Sequence, residues 1–147
     1  MPHRRLPIIA LVVAVLVTGT AAESGAEDLQ RRDRMLRLLN QVRRQHGLPI
    51  FRINREVSTS AFRHSKRMAR AGNIFHTLDL YRVVRPYEPS MWGENVGTAR
   101  YLKTVRRLWM HSAGHRANIL KRGFRRVGVG AVKARGIMWV TVIFYGG

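Results

Sequence analysis

The residues of this 147-residue chain that could do chemistry are few: six histidines, eight carboxylates and no cysteine thiol. His76, in Asn-Ile-Phe-His-Thr, and His115, in Trp-Met-His-Ser-Ala-Gly-His, each follow a helix end or a break, where loop backbone can aim an imidazole into a cleft. Two neutral imidazoles bind a borderline metal such as zinc once further ligands or waters complete the shell. Glu94, between Gly93 and Asn95, sits among aromatic and apolar neighbours. An acid so placed can hydrogen-bond an imidazole or act as a base toward metal-bound water. Spacing alone does not bring His76, Glu94 and His115 together, and structural roles stay open for all three.

The remaining histidines have plainer readings. His64 lies on the inward stripe of a helix and reads as a core histidine rather than a ligand. His46 falls at a helix end, where a cation suits the dipole, and His111 reads as a surface group on the last turn of its helix. His3 leaves with a leader. Ser112 continues the inward face of its helix, but a serine-nucleophile scheme is poor: His115 is three residues away, no acid follows in a triad-like order, and no Gly-x-Ser-x-Gly elbow occurs.

The elements that must position these groups follow from period and punctuation. Met35, Leu38, Leu39 and Val42 predict a helix over 29–46, ended by Gly47-Leu48-Pro49. Asn54 caps a second helix, with Val57, Ala61, His64 and Met68 on one stripe and Gly72-Asn73 as its stop. Residues 73–97 show no sustained period and read as a long ordered loop, of a kind that is usually functional. A third helix spans 100–111 with Leu102, Val105 and Trp109 inward. Arg126 to Lys133 and Ile137 to Gly146 then form a hairpin turned at Ala-Arg-Gly. Both faces of its second strand are apolar, with Trp139, Ile143 and Tyr145 on one side and Met138, Val140, Val142 and Phe144 on the other, so helices must cover the sheet on each side. The fold class is therefore α+β, a three-layer α-β-α sandwich around a small antiparallel sheet.

Composition bounds the setting. The first 22 residues have a positive start, an apolar run from Leu6 to Val17 and a small-residue end, the pattern of a secretory signal peptide cut after Ala22. Twelve apolar residues make a helix of about 18 Å, short of a ~30 Å bilayer core. Pro7 and Thr20 make the cleavage signal imperfect, so a membrane anchor by an uncleaved leader is the alternative. Residues 23–28 read as a short polar tail and 29–147 as one domain, held by its core without disulfides. The formal net charge is +19, of which Arg4 and Arg5 go with the leader. The basic residues are dispersed and no nucleic-acid motif accompanies them, so no specific nucleic-acid partner is expected. For an exported chain, anionic envelope polymers, lipid headgroups or acidic glycans are the expected counter-charges, with peripheral membrane contact. Arginines simply solvating a surface are the plainer alternative.

The ordered set Leu38 to Phe51, Arg63 to Thr77, Trp-Gly-Glu-Asn-Val-Gly (92–97), Trp109 to Leu120, and Arg126 to Lys133 with a final strand resembles the CAP superfamily of cysteine-rich secretory proteins, antigen 5 and plant pathogenesis-related proteins, in its short cysteine-free bacterial branch. Each motif is weak alone, but five in the family order are specific, and they cover nearly all of the mature chain. The resemblance implies an α-β-α sandwich and a cleft of two histidines and two glutamates, the histidines able to hold a metal ion such as zinc. Position by position, His76 and His115 are the metal histidines and Glu94 the acid. The second glutamate falls at Ser112, which weakens a two-acid scheme, and Ala113 replaces a proline frequent in bacterial relatives, which implies a softer helix end. A secreted or extracytoplasmic monomer that binds a lipid or cell-envelope ligand is the implied function. A metal-assisted hydrolase of peptide or envelope substrate, with Glu94 as base and Ser112 orienting water, is the alternative.

Overall fold

The computed structural model of the chain describes residues 21–147. Apart from Ala21 and Ala22, the expected leader lies outside the described residues. Among the described residues no helix is long and apolar enough to cross a membrane.

Helix α1 runs Ala21–Gln45. It takes in residues 23–28, expected as a tail, with Glu27 and Asp28 facing a single arginine a turn further on: Arg31 pairs with Glu27 at 2.8 Å and with Asp28 at 3.2 Å. A two-residue strand β1 (Arg52–Ile53) leads into α2 (Arg55–Ala71), whose Asn54 cap accepts from Val57 N at 3.0 Å and whose end is a left-handed Gly72. After α2 come the one-turn helix α3 (Leu80–Val84), a 3-10 turn (Arg85–Tyr87) and strand β2 (Met91–Ala99). Helices α4 (Leu102–His111) and α5 (Ala113–Leu120) precede β3 (Arg126–Ala134) and β4 (Ile137–Gly146). Arg135 and Gly136, at φ 50° and 76°, make the tight hairpin turn, the left-handed pair that matches strand twist.

The loop expected over 73–97 is thus only partly a loop. Residues 91–99 form an edge strand paired antiparallel to β4 along its whole length, with Glu94 opposite Ile143. Strand order is β1-β3-β4-β2. The sheet is mixed rather than purely antiparallel, because the short β1 runs parallel to β3.

Both faces are covered. On one, Val140, Val142 and Phe144 pack with Met35, Leu39 and Val42 of α1, Val105 and Trp109 of α4, and Ile119 of α5. On the other, Ile143 and Tyr145 pack with Val57 and Ala61 of α2, and Trp139 with Met68. Glycine sets the spacing of this second layer. A Cβ on Gly128 would lie 2.5 Å from the Val57 carbonyl carbon, and one on Gly130 2.3 Å from that of Ala61. The α2 backbone therefore rests directly on β3, and its end, which leads to His76, is fixed against the sheet.

One cation holds the opposite layer. Arg43 is fully buried. Its Nε donates to Pro49 O at 2.6 Å, Nη1 to Ile119 O and Lys121 O at 2.9 Å each, and Nη2 to Phe124 O at 3.1 Å. The guanidinium also lies 4.0 Å from the Phe51 ring centroid. Burial, with Arg125 and Arg122 nearby, lowers its pKa to about 10, so it remains a cation at neutral pH. It ties α1 to the carbonyl end of α5.

Candidate functional site

The edge strand brings the site together because its side chains alternate between the two layers. Trp92, Glu94 and Val96 face the α2 side, while Gly93, Asn95 and Gly97 face α4 and α5. On the first side the Glu94 carboxylate, only 3% exposed, takes three hydrogen bonds from the segment after α2. His76 Nδ1 donates to Oε1 at 2.8 Å, Thr77 N to Oε1 at 2.9 Å, and the Thr77 hydroxyl to Oε2 at 2.6 Å. That arrangement fixes the His76 tautomer and leaves Nε2 with its lone pair on a side chain that is 63% exposed.

His64 secures the same segment from below. It is buried; its Nε2 donates to Phe75 O at 2.7 Å, and its Nδ1 accepts from Arg67 at 2.8 Å. The core reading of His64 agrees with this burial. The sequence did not reveal that the histidine grips the residue next to His76.

On the second side the chain breaks at Ser112, in extended backbone at φ −103° and ψ 120°, and α5 starts at once. His115 therefore stands in the first turn of a helix rather than in loop backbone. Ser112 makes no side-chain cap to the helix backbone; its Oγ lies 3.0 Å from His115 Nδ1 and orients the ring. The His115 ring leans on Trp109, centroid to centroid 6.0 Å, and Asn95 Nδ2 donates to His115 O at 3.0 Å. Asn118 joins the two elements by donating to Asn95 Oδ1 at 2.9 Å. Gly97 is required here: a Cβ would meet Trp109 Nε1 at 2.7 Å, on the indole that donates to Val96 O.

His76 and His115 approach the edge strand from opposite layers. The His115 pKa is lowered first by burial and then by the charge of His76. Glu94 with His76 on one side of β2, and Ser112 with His115 on the other, thus flank the same edge strand, with His76 near enough for its charge to act on His115. Among the described residues no three His, Asp or Glu side chains are grouped to hold a metal ion. The groups that would hold a metal are His76 Nε2, with Glu94 behind it, and the His115 ring, with Ser112 beside it. His46 and His111 lie elsewhere, each donating Nδ1–H to the carbonyl four residues back. Asn95, Asn118 and Thr77 are positioning residues that sequence reasoning missed; the one trace of them was polar residues inside otherwise apolar stretches.

Exposed apolar side chains stand close to Glu94 and Thr77 in the chain. Leu78 is fully exposed, and Tyr81 and Trp92 are about half-exposed, their rings 4.7 Å apart between centroids.

An α-β-α sandwich with a histidine-glutamate pair at its sheet edge defines a class of protein. Residues 36–144 match the cysteine-rich secretory protein (CAP) family, and the chain belongs to that family. It is 30% identical over 129 residues to the uncharacterized protein YkwD of Bacillus subtilis, covering 83% of this chain and 49% of that one. An extracellular protein containing an SCP domain from Bacillus anthracis superposes with a TM-score of 0.70 at 24% identity, covering 87% of this chain and 44% of that one. An outer surface protein of Borrelia burgdorferi gives 0.71 at 16% identity, over 80% of this chain and 92% of that one. The chain spans about half the length of the two Bacillus proteins.

Proposed function

We propose that the protein acts outside the cytoplasm as a binding module, with the His76–Glu94–His115 cleft taking a lipid or related amphiphilic ligand of the cell envelope. The similar Bacillus anthracis protein is extracellular and the Borrelia protein is an outer surface protein, which supports the location, as does the leader pattern. The observation that carries a binding role over hydrolysis is the Glu94 carboxylate, three of whose roughly four acceptor positions are occupied by His76 and Thr77. A buried acid so engaged orients a histidine and is poorly placed to take a proton from water. Exposed Leu78, Tyr81 and Trp92, close in the chain to Thr77 and Glu94, suit a ligand with a head and an apolar body.

His76 Nε2, and His115 in the tautomer that donates Nδ1–H to Ser112, would hold zinc as a weak site whose shell is completed by ligand or water, and zinc there would polarise a bound headgroup oxygen. Extraction and mass measurement of ligands carried by the secreted protein test the reading, with His76→Ala, His115→Ala and Trp92→Ala as comparisons. An amphiphile present in wild type and depleted in each variant is expected. Turnover of an envelope peptide that disappears in Glu94→Gln, with no carried ligand, would favour the hydrolase. Zinc titration of the two histidine variants should show most of the affinity lost in either. Equal affinity in the double variant would remove the metal from the proposal.

A further inference from the structure

Three adjoining depressions run along the side of the molecule formed by α1, the start of α4 and the hairpin tip. The central one, about 590 Å3, lies between α1 and α4. It shares Arg34 and Arg37 with a second that continues along α1 to Arg44. It shares Tyr101 and Met138 with a third that reaches Lys133 and Arg135. Shared walls make the three one continuous path. Arg34, Arg37, Arg44, Arg100, Lys103, Lys133 and Arg135 border it, all of them exposed. None of the seven makes an ion pair among the described residues, and the two acids on the path are already engaged, Glu27 by Arg31 and Asp33 by Arg32.

Steps of three and seven residues place Arg34, Arg37 and Arg44 on one stripe of α1, about 15 Å long at ~1.5 Å per residue. Uncompensated charge along a line is matched by an anion that is itself linear and repeats its charge. The path is concave and turns from the helical layer to the hairpin tip, so a flat bilayer would meet its rim and not its length. Exposed aromatics along it are limited to Tyr101, whose ring already lies 5.7 Å from the Arg100 guanidinium. Single-stranded nucleic acid is held by successive stacking rings, which this path lacks.

We propose that this basic path binds a linear phosphodiester polymer without bases, of the poly(alditol phosphate) kind, independently of the His76 cleft, with which it shares no residue. The test uses purified poly(glycerol phosphate) at several salt concentrations against the full secreted chain. Arg34→Gln, Arg37→Gln and Arg44→Gln together should weaken binding at least about tenfold near physiological salt. The slope of log affinity against log salt should fall by roughly 2, at about 0.7 per phosphate contact. A control of equal charge, Arg63→Gln, Arg70→Gln and Arg82→Gln on α2 and α3, should stay within about twofold of wild type. Lys133→Gln with Arg135→Gln, at the other end of the path, should weaken long chains and leave a short oligomer of two or three repeats unaffected. Zinc binding and thermal midpoint should be unchanged in all three, which separates a failure here from a failure of the cleft reading. Equal losses in the path and control variants would overturn the proposal, since the charge would then act diffusely. Tighter binding to a thymidine oligonucleotide of equal charge would overturn it too, as would binding to phosphatidylglycerol vesicles with none to the soluble polymer.

Discussion

Replacing Arg43 by methionine removes four hydrogen bonds donated by a buried cation while nearly preserving volume. The carbonyls of Pro49, Ile119, Lys121 and Phe124 lose their guanidinium donor together. An orphaned buried carbonyl costs about 1–3 kcal/mol, and relief of the buried charge offsets several kcal/mol of the total. The net loss is about 3–5 kcal/mol, the range seen when one member of a buried charged network is deleted. With a urea slope of about 1–3 kcal/mol/M, the midpoint should fall by about 2 M. Arg43→Lys keeps the charge, but one ammonium cannot span carbonyls contributed by three segments, so it should recover less than half of the loss. The Arg43 pKa, about 10 in the fold, lies below its unfolded value, so burial of the charge disfavours folding and deprotonation would add stability only as pH rises above 10. The measured loss should therefore be the same at pH 6 and pH 8. Amide exchange should rise first in α5, whose last carbonyls are the ones released. A midpoint shift below about 0.5 M, or a lysine variant as stable as wild type, would refute the account.

Three further outcomes follow from the same geometry. Because the folded His115 pKa is depressed below the unfolded value of 6.5, metal-free protein should lose stability as pH falls through 6.5 toward that lower value, and His115→Gln should flatten this part of a thermal-midpoint profile. Gly130→Ala would push a methyl to 2.3 Å from the α2 backbone and should destabilise by about 1–3 kcal/mol in chemical denaturation, with Gly136→Ala, which meets no atom within 4 Å but sits at φ 76°, as a strain-only comparison. His64→Leu should lower zinc affinity by roughly tenfold without touching the cleft, because Phe75 O loses its anchor; unchanged affinity in the folded variant would show that Glu94 alone positions His76.

The parts legible in the sequence were those whose period is set by burial on one side. The stripe of Val57, Ala61, His64 and Met68, the α4 face of Leu102, Val105 and Trp109, and the two-faced β4 strand all read correctly because their burial follows the helix and strand periods without a break. Strand β2 escaped because its inward residues toward α4 and α5 are Gly93, Asn95 and Gly97, with Trp109 and Asn118 reaching across to occupy the space a larger side chain would take. The N-terminal extension of α1 escaped because its first turns hold no core residue and depend on local ion pairs. At the site, Glu94 stood out for being an acid in a basic chain, whereas Arg43 could not, being one arginine among many whose burial is set by carbonyls distant in sequence. The β1–β3 parallel contact, two residues long, leaves no pattern at all.

The placement of the two cleft imidazoles on opposite helical layers has a mechanical consequence. His76 is carried by the segment following α2, and His115 by α5, with only the edge strand between them. Any ligand that engages both rings becomes a rivet through the seam of the sandwich, joining directly two layers that each hold separately to the sheet. Its binding energy is then felt by the whole domain rather than by a loop, and occupancy should appear as a cooperative rise in unfolding temperature that follows ligand concentration. A ligand gripping one ring alone would leave the seam free to open, so the size of that rise distinguishes one attachment from two.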